Sequence, residues 1–490
     1  MLEENQSIYQ RIKSALQSDG TLPEEFVLRQ LPQEGMKFAD GAMDGTIRYH
    51  MGPTKNPDIS ALTLVLEMAS KERYKDAANA LITHFNQGGM MLPVIDALQE
   101  WIYSHTGVLS PEHLGQFVRT LLLQSNDVES VKFALVVLEV LEQEPDGELR
   151  EMLLTLASSE ELTLFCLFNF GIFADANEMT FALAKKLKGW GRIHAVSSLR
   201  NTSEEIGQWL LTEGWQNEIM PEYSAITVIK RTKLYAPLQG KVSDELFAIA
   251  GKLIGYSLGD SPVKGLSSSK NAGQLLTAYL GLAAKRNLGA EEYGNIFDIK
   301  AFAESGELEE KQQIVSACQA ILDSDRCISC INEAMAKGQG LYLGKAMGLD
   351  FAPQAMAALR RDWQESYDLI DLLLPDKLYV DEIIELFSEK LPLEEMASGP
   401  ENEMGNSPEY KDYGVLSYVI QGLQAVPGKG EDLICAGLWS PVIGCRNIAL
   451  NTIDKWRKAD YQLTDKMREL IADLKEAEVH EQTRKRLENF

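Results

Sequence analysis

The chain has 490 residues, 45% of them hydrophobic and 24% charged. It can fold, but it exceeds the span of one compact core, which stops growing at about 250–300 residues. Seventy-two acidic residues against 47 basic ones leave a formal net charge of −25, which argues against nucleic-acid backbones and anionic membrane surfaces and for basic partners.

Met1, Leu2, Glu3, Glu4 and Asn5 open the chain without a positive n-region or an apolar h-region, so no secretory signal and a cytoplasmic location are expected. Six cysteines fit a reducing compartment. A first helix is predicted over 7–16. Residues 36–51 then leave the helical pattern: Ile47, Tyr49 and Met51 alternate with Thr46, Arg48 and His50, after Asp40-Gly41 and Asp44-Gly45. That pattern predicts a small β-hairpin. Asp40, Asp44, Tyr49 and His50 are candidate contacts on it, with the two carboxylates suited to capping turns.

From Ser60 onward apolar residues recur at spacings of three and four: Leu62, Val65 and Leu66, then Ala77, Ala78, Leu81, Ile82 and Phe85. This predicts two antiparallel helices. The period returns over 112–123, 128–141, 149–157, 180–187, 204–211, 244–258, 274–284, 312–322, 328–336, 380–387 and 415–423, with Ser110-Pro111 and Ser440-Pro441 as helix starts. The most apolar stretch, 162–173, is broken by Thr163, Asn169 and Gly171 and is too short to span a bilayer. Breaks rich in Ser, Gly and Pro fall at 257–273 and 396–413.

One pattern repeats. After Ser125 come Val128, Ala134, Leu135, Leu138 and Leu141, and the same offsets from Ser440 give Ile443, Ala449, Leu450, Ile453 and Trp456. Arg192, Ala195, Val196 and Leu199 match Arg446, Ala449, Leu450 and Ile453. An Arg and a small residue beside an apolar ridge are similar to the second helix of HEAT-type repeats. Such helices cannot bury their stripes alone, so neighbours must stack.

Catalytic motifs fail on their context. Gly255-Tyr256-Ser257-Leu258-Gly259 has the form of a nucleophile elbow, but Leu246, Phe247, Ala250, Leu253 and Ile254 precede it at helical spacing and His480 is the only later histidine. Cys327 and Cys330 form Cys-x-x-Cys at a helix start without a second pair to complete a zinc site. Gly344-Lys345 is followed by Ala346 in place of the Ser or Thr of a phosphate loop. No histidine has Glu three residues before it, as a di-iron bundle requires. No metal and no cofactor are therefore assigned. Gly189-Trp190-Gly191-Arg192-Ile193-His194 stands apart, because two glycines in a helix cost about 1 kcal/mol each relative to Ala. It adds Trp190, Arg192 and His194 to the candidates.

The segments 37–45, 49–52, 188–196 and 210–214 resemble those of a bacterial family of uncharacterised HEAT-like helical-repeat proteins often labelled limonene hydroxylase. The resemblance implies an α-solenoid, and its label implies a monooxygenase. The expectation is thus an all-α, HEAT- or armadillo-like α-solenoid with a small N-terminal β-hairpin. It divides into an N-terminal segment (1–57) and helical repeats (58–260 and 261–490), with a long loop near 396–413. A scaffold that binds a protein or peptide is the first functional expectation. A limonene hydroxylase-like enzyme is the second, and a nucleic-acid-processing solenoid, disfavoured by acidity, the third.

Overall fold

The three-and-four spacing of apolar residues becomes helix throughout the computed structural model, which describes residues 6–29, 38–52, 54–141, 144–488 and 490. Among the described residues there is no β-strand; Glu403 and Val442 form an isolated parallel bridge. No helix among them is long and apolar enough to cross a membrane. The chain divides into two units: residues 1–286 with 298–318, and residues 287–297 with 319–490.

Unit 1 contains α1 (Ile8–Ala15), α2 (Ala42–Thr46), α3 (Ser60–Ser70), α4 (Tyr74–Asn86), α5 (Ile95–Ser104), α6 (Pro111–Gln124), α7 (Val128–Val140) and α8 (Gly147–Ala157). It continues through α9 (Thr163–Asn169), α10 (Ala176–Ala184), α11 (Trp190–Ser198), α12 (Glu204–Trp209), α13 (Glu222–Thr232), α14 (Asp244–Gly255) and α15 (Ala272–Ala283). Sequence neighbours pack together: α3 on α4, α6 on α7, α8 on α9 and α10 on α11. The pairs are linked in turn, α7 to α9, α9 to α11 and α11 to α13. Helix starts follow the capping rule, as where the Ser110 hydroxyl accepts from the His113 amide with Pro111 in the first turn.

The predicted hairpin is helix instead. Residues 36 and 37 lie outside the described residues; α2 runs from Ala42 and widens into a π turn over Ile47–Met51, closed by the Gly52 amide on the Ile47 carbonyl at 2.8 Å. The two glycines that signal turns do other work here. Gly41 (φ +77) supplies the left-handed entry to the helix, and Gly45 lies so close to Trp190 that an added Cβ would clash with the indole ring. Tertiary contact has overridden the alternation of Ile47, Tyr49 and Met51.

The chain between the units runs through α16 (Ala290–Ser305) and α17 (Lys311–Leu322). Unit 2 continues with α18 (Asp325–Met335), α19 (Leu341–Ala346), α20 (Ala352–Arg361), α21 (Trp363–Ser366), α22 (Ile370–Leu373) and α23 (Val380–Lys390). It ends with α24 (Leu393–Met396), α25 (Lys411–Gly422), α26 (Glu431–Leu438), α27 (Ile443–Lys458), α28 (Asp465–Ala477) and α29 (Glu481–Glu488). The ridge repeated in the sequence is core in both places: Ala134 and Leu135 on α7, and Ala449, Leu450, Ile453 and Trp456 on α27, are all buried.

Ser440-Pro441 does not start its helix; Val442 does, and the Ser440 and Pro441 carbonyls accept from Arg446 Nη1 at 2.7 and 2.9 Å. Arg446 also holds the Glu401 carbonyl at 2.9 Å and the Glu478 carboxylate through two bonds of 2.8 and 2.7 Å, with both side chains fully buried. One guanidinium thereby joins the 396–413 segment, α27 and the end of α28. Arg446→Ala removes the charge partner of a buried carboxylate, which keeps the His480 amide as a donor, and takes the same donor from three carbonyls. A loss of about 3–5 kcal/mol is expected, measured as a lower denaturation midpoint for unit 2.

Candidate functional site

Three elements of unit 1 bring the predicted residues together. The π turn after α2 carries Tyr49 and His50, α11 carries Trp190 and His194, and α13 adds Tyr223. Tyr49 stacks on Trp190 and His194 with ring centroids 6.2 and 6.0 Å away, and Tyr223 lies 5.1 Å from Tyr49 and 5.0 Å from Trp190. The exposed His50 meets the Tyr223 hydroxyl through Nε2 at 2.6 Å. Offset and edge-on rings of this kind attract beyond their buried area.

His194 is 1% exposed, and neither ring nitrogen has a hydrogen-bond partner. Burial, with the Arg48 charge behind it, pushes its pKa down to about 3, so the imidazole is neutral in the folded protein. The unfolded chain takes up a proton below about pH 6.5 and the folded one does not, so this site's contribution to stability falls as pH drops below that value. His194→Leu removes two unsatisfied polar atoms and the proton linkage. Its stability relative to wild type should be equal or better near pH 7 and should improve by about 1.4 kcal/mol per unit as pH falls below 6.5, read from urea midpoints. An unchanged difference across that window contradicts the neutral imidazole.

Beside this cluster lies a buried group of charges. Lys132 on α7 is 0% exposed. Its ammonium pairs with Asp44, with Glu161 at 2.6 Å and with Glu129 at 3.2 Å. Arg29 reaches the same acids, Glu129 and Glu161, the latter at 2.6 Å. The Gly41 amide donates to Glu161 at 2.6 Å and the Met91 amide to Glu129 at 2.8 Å. Burial alone lowers the Lys132 pKa, but Glu129, Asp44 and Glu161 outweigh it and hold the ammonium above its ordinary value. Burial pushes Asp44 up to about 6, with Lys132 opposing, while Lys132 and Arg29 overcome the burial of Glu161 and bring it down.

Lys132 thus stands where three carboxylates converge, the place a cation must fill. Lys132→Met should cost about 3–5 kcal/mol near neutral pH, because it strands the acids. Without Lys132 the stranded acids take up protons in the folded variant before the unfolded chain does, so the loss should shrink as pH falls. Equal losses in acid and neutral buffer run against the ion cluster.

A cleft of about 690 Å³ opens next to Trp190, between residues 17–26 and 39–40 on one side and 158–160, 186–190 and 218–219 on the other. Its floor is the start of α11, where the Glu160 carboxylate accepts from the Gly189 amide at 2.6 Å and the Lys188 amide at 3.2 Å. Asp40 lines the wall: Oδ2 accepts from the Leu28 amide at 2.9 Å, Oδ1 has no partner, and burial raises its pKa. The lining carboxylates Asp19, Glu24, Asp40, Glu160 and Glu218 outnumber the ammonium groups of Lys186 and Lys188.

Of the seven predicted residues, Tyr49, His50, Trp190 and His194 meet in one cluster, Asp40 lines the cleft with Trp190, and Asp44 belongs to the ion group. Arg192 turns away, donating to the carbonyls of Ala184, Lys185 and Gln216 with its guanidinium over the Trp209 ring. Asp44 caps no turn, contrary to expectation, because Lys132 claims it. Sequence reasoning missed Arg29, Glu129, Lys132, Glu161 and Tyr223. The signal for two of them is Glu129 and Lys132 in a helix that is otherwise apolar nearly all round.

Among the other motifs, Gly255 ends α14 and the Ser257 hydroxyl is buried. Burial raises the Cys327 thiol to about 11, outweighing any lowering at the helix start. No group of His, Cys, Asp and Glu among the described residues is arranged to hold a metal ion. No protein-family model matches the chain, and searches of curated proteins and of solved structures give no match.

Proposed function

We propose that the protein is a helical-repeat binding module, a HEAT-like α-solenoid, whose acidic cleft in unit 1 takes a positively charged segment of a partner protein or peptide. The carrying observation is the excess of carboxylates around Trp190 in that cleft. An ammonium or guanidinium group there gains from the carboxylates. The net charge of −25 extends the attraction beyond the cleft. The repeat reading is supported by the serial packing of helix pairs in unit 1 and by the Ala-Leu ridge that is core on both α7 and α27. Neither the hydroxylase nor the nucleic-acid reading has an observation of this kind in its favour in the cleft.

Binding of a dye-labelled peptide of alternating lysine and alanine, followed by fluorescence anisotropy, tests the assignment. Glu24 and Glu218 are exposed on the cleft, so the double charge reversal Glu24→Lys/Glu218→Lys should weaken binding by about tenfold or more. Glu389→Lys, an exposed reversal in unit 2, should leave it unchanged. Equal weakening by both variants would reduce the attraction to general charge and remove the cleft from the proposal.

A further inference from the structure

Unit 1 has a second cavity of opposite sign. It encloses about 350 Å³ between the end of α13 and the start of α15, and its charged lining residues are Lys230, Lys233 and Lys270. No carboxylate lines it, in a chain where acids outnumber bases 72 to 47. Among the described residues none of the three ammonium groups is paired with a carboxylate; Lys230 bonds the Ser268 hydroxyl at 2.9 Å, and Lys233 and Lys270 have no partner. The Tyr235 hydroxyl, the Ser269 hydroxyl and the Asn271 side-chain amide, which share the lining, also lack partners among the described residues.

The charges that line this cavity are all of one sign, on three solvent-facing side chains. Lys230 and Lys233 suit the negative end of α13, but Lys270 lies just before α15, whose N-terminus is itself positive and whose first turn contains no acid. Glu310 stands against Gly273 in that turn without lining the cavity, one carboxylate against three ammonium groups. Like charges held together in this way repel, and a multiply charged anion between them relieves the repulsion. Ile229 and Leu275 give the same cavity an apolar wall.

We infer that this cavity binds a small phosphate monoester: the phosphate among Lys230, Lys233 and Lys270, with hydroxyl and amide donors at hand, and a compact organic group on the apolar wall. A volume of this size suits a small ligand. It is a different site, with a different ligand, from the acidic cleft, and neither assignment depends on the other.

The experiment is isothermal titration of the full chain at low ionic strength with phenyl phosphate and, separately, inorganic phosphate. Phenyl phosphate should bind more tightly than inorganic phosphate, and added sodium chloride should weaken both. Lys233→Gln/Lys270→Gln removes two ammonium groups that hold nothing in the fold, and should lower the phenyl phosphate affinity by about tenfold or more with unchanged thermal unfolding. Lys270→Arg should retain binding. The inference is overturned if wild type does not bind phenyl phosphate, if the double variant binds it equally, or if only a long polyanion such as single-stranded RNA binds, which would mark a general basic surface.

Discussion

An ammonium group removed from water must be enclosed by acceptors, and Lys132 imposes that demand at the centre of unit 1. The desolvation penalty is several kcal/mol per ion, so the fold has to deliver carboxylates to it. Glu129 comes from the same helix, Glu161 from the turn before α9, and Asp44 from α2. The last of these fixes the N-terminal segment. Once Asp44 is on Lys132, Gly45 lies on the Trp190 ring, and the π turn beyond it sets Tyr49 and His50 against α11 and α13. Residues 17–26 and 39–40 of the N-terminal segment form one side of the acidic cleft.

Charge in unit 1 is sorted into places. Three carboxylates face two cations in the buried cluster, the neighbouring cleft is acidic, and the cavity between α13 and α15 is basic. A net charge summed over the chain conceals this arrangement, since fields at a cleft are set by the groups lining it. A chain repulsive to polyanions as a whole can still gather three lysines around a small one.

The helical period was legible because each stripe of apolar residues has one plausible burial face, as with Leu62, Val65 and Leu66 on α3. The stretch around residues 40–51 was misread because its signals have two meanings: a glycine permits a turn and also a close approach, and an alternation of only three apolar residues over 46–51 is too short to separate strand from helix. Only the partner surface, Trp190 and Lys132, decides between them. Trp190 and His194 could be singled out by composition, and their meeting with Tyr49 and His50 depended on contacts 140 or more positions apart that no local pattern encodes. Lys132 was hidden by its neighbours, since a lysine in an apolar helix reads equally as an exposed position.

Arg192 and Arg446 share a sequence offset and also a habit: each gives two of its hydrogen bonds to backbone carbonyls of the preceding segment, Ala184 and Lys185 in one case and Ser440 and Pro441 in the other. A carbonyl is supplied by every residue type. A joint anchored this way tolerates replacement of almost any side chain in the loop it grips, so the architecture can persist while the letters spelling it drift apart.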